Sequence, residues 1–151
     1  VAVGIFGLVI SMVSGIFVLS LQSQRRIIAF RNVEDNTRFV IESMSREIRT
    51  GYGFGSGSGF LSFTNAKREV VIYRLNNNVV EKSSDEGVTY SAITGAEVTV
   101  DYLNFYLTIR EAGVWLQPRV TVAIGVTSRV GNQSANLKNQ TTISQRLLII
   151  Q

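Results

Sequence analysis

VAVGIFGLVISMVSGIFVLSL, residues 1–21, runs without interruption into QSQRRIIAFRNVEDNTRFVIESMSREIRT, residues 22–50, and the reading of this junction decides the fold. The first stretch contains no charge, and its polar side chains are Ser11, Ser14 and Ser20. As a helix it would rise roughly 30 Å, about the thickness of a bilayer's hydrocarbon core. It is too long and too punctuated by glycine to be the core of a signal peptide. The first charges are Arg25 and Arg26, at the depth where headgroups would sit.

Between Gln22 and Thr50 there is neither Pro nor Gly, so the helix has no reason to stop; its pattern changes instead. Phe30, Val33, Thr37, Val40 or Ile41, Met44 and Ile48 recur at steps of three and four, with Ile27 leading in. That spacing draws one apolar stripe on a 3.6-residue helix. The other faces carry the ladder Glu34–Arg38–Glu42–Arg46, alternating in sign at four-residue steps. Gly51 then offers a C-cap. The expectation is one helix of about 50 residues, roughly 75 Å long. Residues 1–21 form an all-apolar half and 22–50 an amphipathic half. The packing positions against the rest of the chain are expected at Phe30, Val33, Val40, Ile41, Met44 and Ile48.

Residues 51–59, GYGFGSGSG, alternate glycine with Tyr52, Phe54 and serines and read as a flexible loop whose aromatics tuck back. A nucleotide-binding reading is disfavoured, because such loops follow a strand and open a helix, the reverse of the order here. From Phe60 the period is two, with strands expected at 60–64, 69–75, 79–83, 97–109, 119–127 and 141–149. Asn65-Ala66-Lys67-Arg68 and Asn76-Asn77-Asn78 read as turns, and the alternation slips near Tyr102 as a bulge would make it. Residues 60–151 should therefore form an antiparallel sheet with one wet face. Its apolar face complements the stripe on the helix, giving an α+β fold.

Composition removes much chemistry. In 151 residues there is no cysteine and no histidine, which excludes disulfides, thiolate nucleophiles, imidazole ligands and His-based triads. The eleven acids follow no metal-loop spacing, and Asp85-Glu86-Gly87 reads as a turn. Lys67, Lys82 and Lys138 read as solvated, with no S-x-x-K to make one of them a base. Net charge is +4, and the bases from residue 60 onward are scattered among seven acids. That is an ordinary solvated surface, so nucleic acid is a subordinate partner at most. Trp115, Tyr52, Phe54 and Tyr90 read as structural aromatics. Asn132-Gln133-Ser134 and Asn139-Gln140-Thr141 match the glycosylation sequon, which matters only for an exported domain. No cofactor, metal or catalytic residue is expected.

A glycine-punctuated apolar helix, extended by an amphipathic half and then by an antiparallel sheet, resembles the bacterial type IV pilin and pseudopilin superfamily. Residues 1–10, VAVGIFGLVI, look like the stretch immediately after the Phe-Thr-Leu-x-Glu start of such proteins. Gln24-Arg25-Arg26 and residues 36–49, NTRFVIESMSREIR, are similar to minor pilins and pseudopilins. Ile5 stands where the family has a glutamate, so Val1 is expected to lie several residues inside the mature chain. A basic leader upstream would also reverse the orientation that Arg25, Arg26 and Arg31 alone impose, which is the sheet domain in the cytoplasm.

The resemblance implies a bitopic inner-membrane precursor that an assembly machine extracts into a cell-surface filament of its own copies, with other pilins as candidate co-subunits. The implied filament-core positions are Val1, Gly4, Ile5, Gly7, Leu8, Ser11, Met12, Gly15 and Phe17, with Ser14 and Gly15 as a candidate weak point in the helix. The alternative from a different class is a membrane-anchored extracytoplasmic binding or sensing domain that never polymerises. An anchored hydrolase using paired carboxylates ranks below both.

Overall fold

The computed structural model describes the backbone of residues 2–111 and 114–146, and the side chains of residues 3–109 and 117–146. The fold is α+β. Helix α1 spans Ala2–Thr50, 49 residues without a break. Among the described residues, eight antiparallel strands come after it: β1 (Tyr52–Gly57), β2 (Phe60–Thr64), β3 (Val70–Asn76), β4 (Val79–Ser83), β5 (Ser91–Ala92), β6 (Val98–Glu111), β7 (Val114–Val130) and β8 (Gln133–Ser144). They divide into two sheets, β1-β2-β3-β4-β5 and β6-β7-β8, rather than the one expected. The division falls where the two-residue β5 exhausts its pairing with β4. The chain then crosses over, Ile93 N donating to Val80 O and Val100 N to Asn78 O.

The helix packs one stripe against these sheets. Ala29, Val33, Thr37, Val40, Met44 and Ile48 are buried at steps of three and four, and Ile41 is half-buried beside them. They share one core with Leu61, Phe63, Val71 and Tyr73 of the first sheet and with Val100, Leu103, Val122 and Ile124 of the second. Phe30 departs from the expected set. It is half exposed, and the buried position at that level belongs to its neighbour Ala29, so the buried stripe is shifted by one residue there. Of the four-step charge ladder, the described contact is Arg38–Glu42 at 3.7 Å, both side chains exposed and the pair correspondingly weak.

The glycine-rich segment is not a loop. Residues 52–57 are strand β1, paired with β2. A flexible sequence becomes a strand here because its glycines admit neighbouring side chains. A Cβ at Gly51 would lie 2.6 Å from the Phe63 ring, and one at Gly57 would collide with Phe60. Gly53 takes a φ of +68° where the register slips, the conformation that glycine supplies without strain. Phe54 does tuck back, its ring 5.5 Å from that of Phe63, whereas Tyr52 is exposed.

The expected turns are present, with positive φ at Arg68, Asn77 and Asn78, and again at Glu86 and Gly87. So is the slip near Tyr102, where β6 and β7 shift register between Val100 and Tyr102. The Tyr102 ring lies on Gly125, which has no Cβ to hold it off. Strand β7 begins at Val114, before Pro118, and tolerates the proline because its pairing with β6 is broken there. Strand β8 is Gln133–Ser144, not 141–149, and residues 147–149 of the expected span lie outside the described residues.

Candidate functional site: the unpartnered half of the helix

The most exposed apolar surface of the chain lies on α1. From Val3 to Ile28 every residue is exposed, and Val3, Phe6, Ile16 and Leu19 are each at least 66% accessible. Among the described residues none from Val3 to Ile28 joins the buried core. Its nearest tie is Arg25, which lies against Gly131 in the β7–β8 turn and marks where the domain begins. Residues 3–21 span roughly 28 Å as helix, and α1 is long and apolar enough to cross a membrane. This half is a candidate membrane anchor.

The expected filament-core positions from Gly4 to Phe17 are on it. Ile5, Leu8, Met12 and Phe17 are exposed, and Gly4, Gly7 and Gly15 have no atom within 4 Å of where a side chain would begin. Val1 lies outside the described residues. At 100° per residue Gly4, Gly7, Ser11, Ser14 and Gly15 fall within an arc of roughly 100°, one smooth strip on an otherwise bulky rod. Ser11 Oγ donates to Leu8 O at 2.8 Å, so its hydroxyl needs no outside partner. The helix continues unbroken through Ser14 and Gly15.

The amphipathic half is bound to the sheets by polar contacts as well as by its stripe. Asn36 Nδ2 donates to Glu97 Oε1 at 2.7 Å, and Asn36 Oδ1 accepts from Gly95 N at 2.8 Å. The Asn36 bond, first among the causes, holds the Glu97 carboxyl below its ordinary range. Near the helix C-terminus Glu47 accepts from Tyr73 Oη and Lys82 Nζ, each at 2.5 Å. Burial above all, with Glu47 next, pushes the Tyr73 hydroxyl upward. Lys82 is thus a half-buried partner in β4 and not a solvated lysine. Sequence patterning did not single out Asn36, Glu47 or Tyr73, because a polar residue that bridges helix to sheet looks like any other solvated one.

Among the described residues no three acids gather to hold a metal. Asp85 is the most perturbed carboxyl, at about 2, through hydrogen bonds from Thr89 and then Ser83, and these close its own turn. Tyr90 stacks under the Arg74 guanidinium, 3.4 Å from ring centroid to Cζ. The Trp115 side chain lies outside the described residues. Asn132 sits in the β7–β8 turn and Asn139 on β8, both exposed. A groove between the last turns of α1 and the end of β8 is lined by Arg46, Arg49, Gln117 and Gln145 and is open to solvent. The feature that sets this chain apart is therefore a long apolar rod carried by a small polar domain. No known protein family, curated protein or solved structure matches the chain significantly.

Proposed function

We propose that the chain is a structural, non-enzymatic subunit of a type IV pilus or related filament. It would wait in the inner membrane as a bitopic precursor and assemble on the cell surface through residues 1–21. One observation carries this reading: the exposed apolar half and the domain-bound half are a single helix with no linker between them. An anchor needs only a tether. A rigid rod continuous with the domain fixes where each domain sits once the rods are bundled.

The strip of Gly4, Gly7, Ser11, Ser14 and Gly15 supports the same reading. Lipid tails are as apolar as leucine, so transfer from bilayer to bundle yields little hydrophobic gain. Helices in that setting are held together by close approach, and small residues permit it.

Electron microscopy of filaments sheared from producing cells tests the proposal. The expected outcome is this chain repeated on a helical lattice, apolar halves inward and sheets outward. Recovery of the chain solely as a detergent-soluble monomer would instead favour a membrane-anchored domain that does not polymerise. A short basic leader ending in Gly and continuing into Phe-Thr-Leu-x-Glu, encoded upstream of Val1, would add independent support.

A further inference from the structure

Val88 is 80% exposed, the largest such exposure of a bulky apolar side chain among the described residues of the sheets and their loops. It stands in the loop between β4 and β5, directly after Asp85, Glu86 and Gly87. The loop is fixed from within. Asp85 Oδ1 accepts from Ser83 Oγ at 2.7 Å, Asp85 Oδ2 accepts from Thr89 Oγ1 at 2.5 Å, and Gly87 N donates to Ser83 Oγ at 2.9 Å. An apolar knob collared by two negative charges is thus held in place before any partner arrives, which lowers the entropy lost on binding.

A surface of matching character lies elsewhere on the molecule. Between α1 and β8, Arg26, Ile27 and Phe30 face Ala135, and a second depression that shares Phe30 is lined by Thr37 and Leu137. Ile27 and Phe30 are each about half exposed, although they border the core. The Thr37 hydroxyl is buried there without a hydrogen-bond partner. Arg26 has no ion pair among the described residues, and Arg38 at the other end is paired with Glu42 at 3.7 Å, with Glu34 alongside.

Their heights differ. Lys82, three residues before the knob, is bonded to Glu47 in the last turns of α1, whereas the groove centres on Phe30. Seventeen residues separate Phe30 from Glu47, roughly 25 Å along the helix. A surface and its complement displaced along one axis form a head-to-tail contact, which propagates where a two-fold contact would close. We infer that the Asp85-Glu86-Gly87-Val88 knob of one copy seats in the Arg26–Phe30–Leu137 groove of a second copy, displaced by about this distance along the rod. This rests on the filament reading and specifies the contact between domains that accompanies bundling of the helices.

The absence of cysteine makes the test clean, since introduced thiols can pair only with each other. Full-length chains carrying Val88→Cys together with Ile27→Cys, Phe30→Cys or Asn136→Cys are assembled, and the sheared filaments are mildly oxidised. At least one pair is expected to give a ladder of dimers and higher species that collapses on reduction, with no ladder from the single variants. In parallel, Glu86→Arg and Arg26→Glu should each lower filament yield about tenfold, and their combination should restore it to within about twofold. Filaments at wild-type yield with no cross-link from any pair, or charge reversals that leave yield unchanged, would overturn this interface and leave the filament reading standing. An unmodified chain that forms no filament would remove both.

Discussion

Glu47 shows how much a single polar residue does here. Its carboxylate holds the hydroxyl of the fully buried Tyr73 and the half-buried Lys82 ammonium, so it ties the end of the helix to β3 and β4 at once. Glu47→Ala strips the partner from both groups and should cost about 1–3 kcal/mol, the desolvation penalty of groups left unpaired. Tyr73→Phe removes one of the donors and leaves the ion pair, so it should cost less, about 0.5–1.5 kcal/mol. Denaturant unfolding of both variants in detergent checks the order, and equal costs would refute the shared role. Asp85 gives a pH prediction of definite sign. Its carboxyl lies near 2 instead of 3.8, so it orders its loop above about 4, and that ordering is lost as pH falls through 2. Thr89→Val removes the hydroxyl bond that comes first among the causes and should move the NMR titration midpoint upward toward 3.8.

Elements differ in how plainly they are written. Helix α1 is legible end to end, since nothing between Ala2 and Thr50 breaks it, and β2 and β4 lie where alternation puts them. Strand β1 is hidden because glycine is weighed as a flexible residue, while its use as space for Phe60 and Phe63 depends on a partner strand that sequence does not display. Strand β8 is hidden for another reason. Its outward Asn136, Lys138 and Gln140 are polar, and on the inward side Asn139 and Thr141 interrupt Leu137 and Ile143, so the alternation is faint. Position 30 shows the limit of periodicity, which fixes a face but not which of two adjacent residues is buried. That limit yields a contrast that helix propensity alone does not give. Ala29→Leu forces a larger side chain into a fully buried position and should cost about 1–3 kcal/mol, whereas Phe30→Ala should leave stability within about 1 kcal/mol. Thermal unfolding of the two variants decides it, and a larger loss at position 30 would return Phe30 to the core.

At the scale of the whole molecule the two halves of α1 live under different rules. Thirteen large apolar side chains from Val3 to Leu21 are exposed, while the buried core begins at Ala29. Because these side chains are 37–85% exposed, leaving them in water forgoes on the order of 10–25 kcal/mol, comparable with or above the roughly 5–15 kcal/mol that holds an ordinary domain together. A free monomer in water is therefore not a resting state of the full chain, and lipid, detergent or other copies must cover the rod. The domain's core does not depend on that half, because no described residue before Ala29 is buried in it. A chain beginning at Gln22 is accordingly expected to be a soluble monomer by light scattering, with the near-ultraviolet circular dichroism of the detergent-solubilised full chain. If the proposed filament reading holds, it should also be excluded from the filaments. If the shortened chain unfolds, the independence of the domain is wrong; if it folds and still enters filaments, residues 1–21 are not what joins the copies.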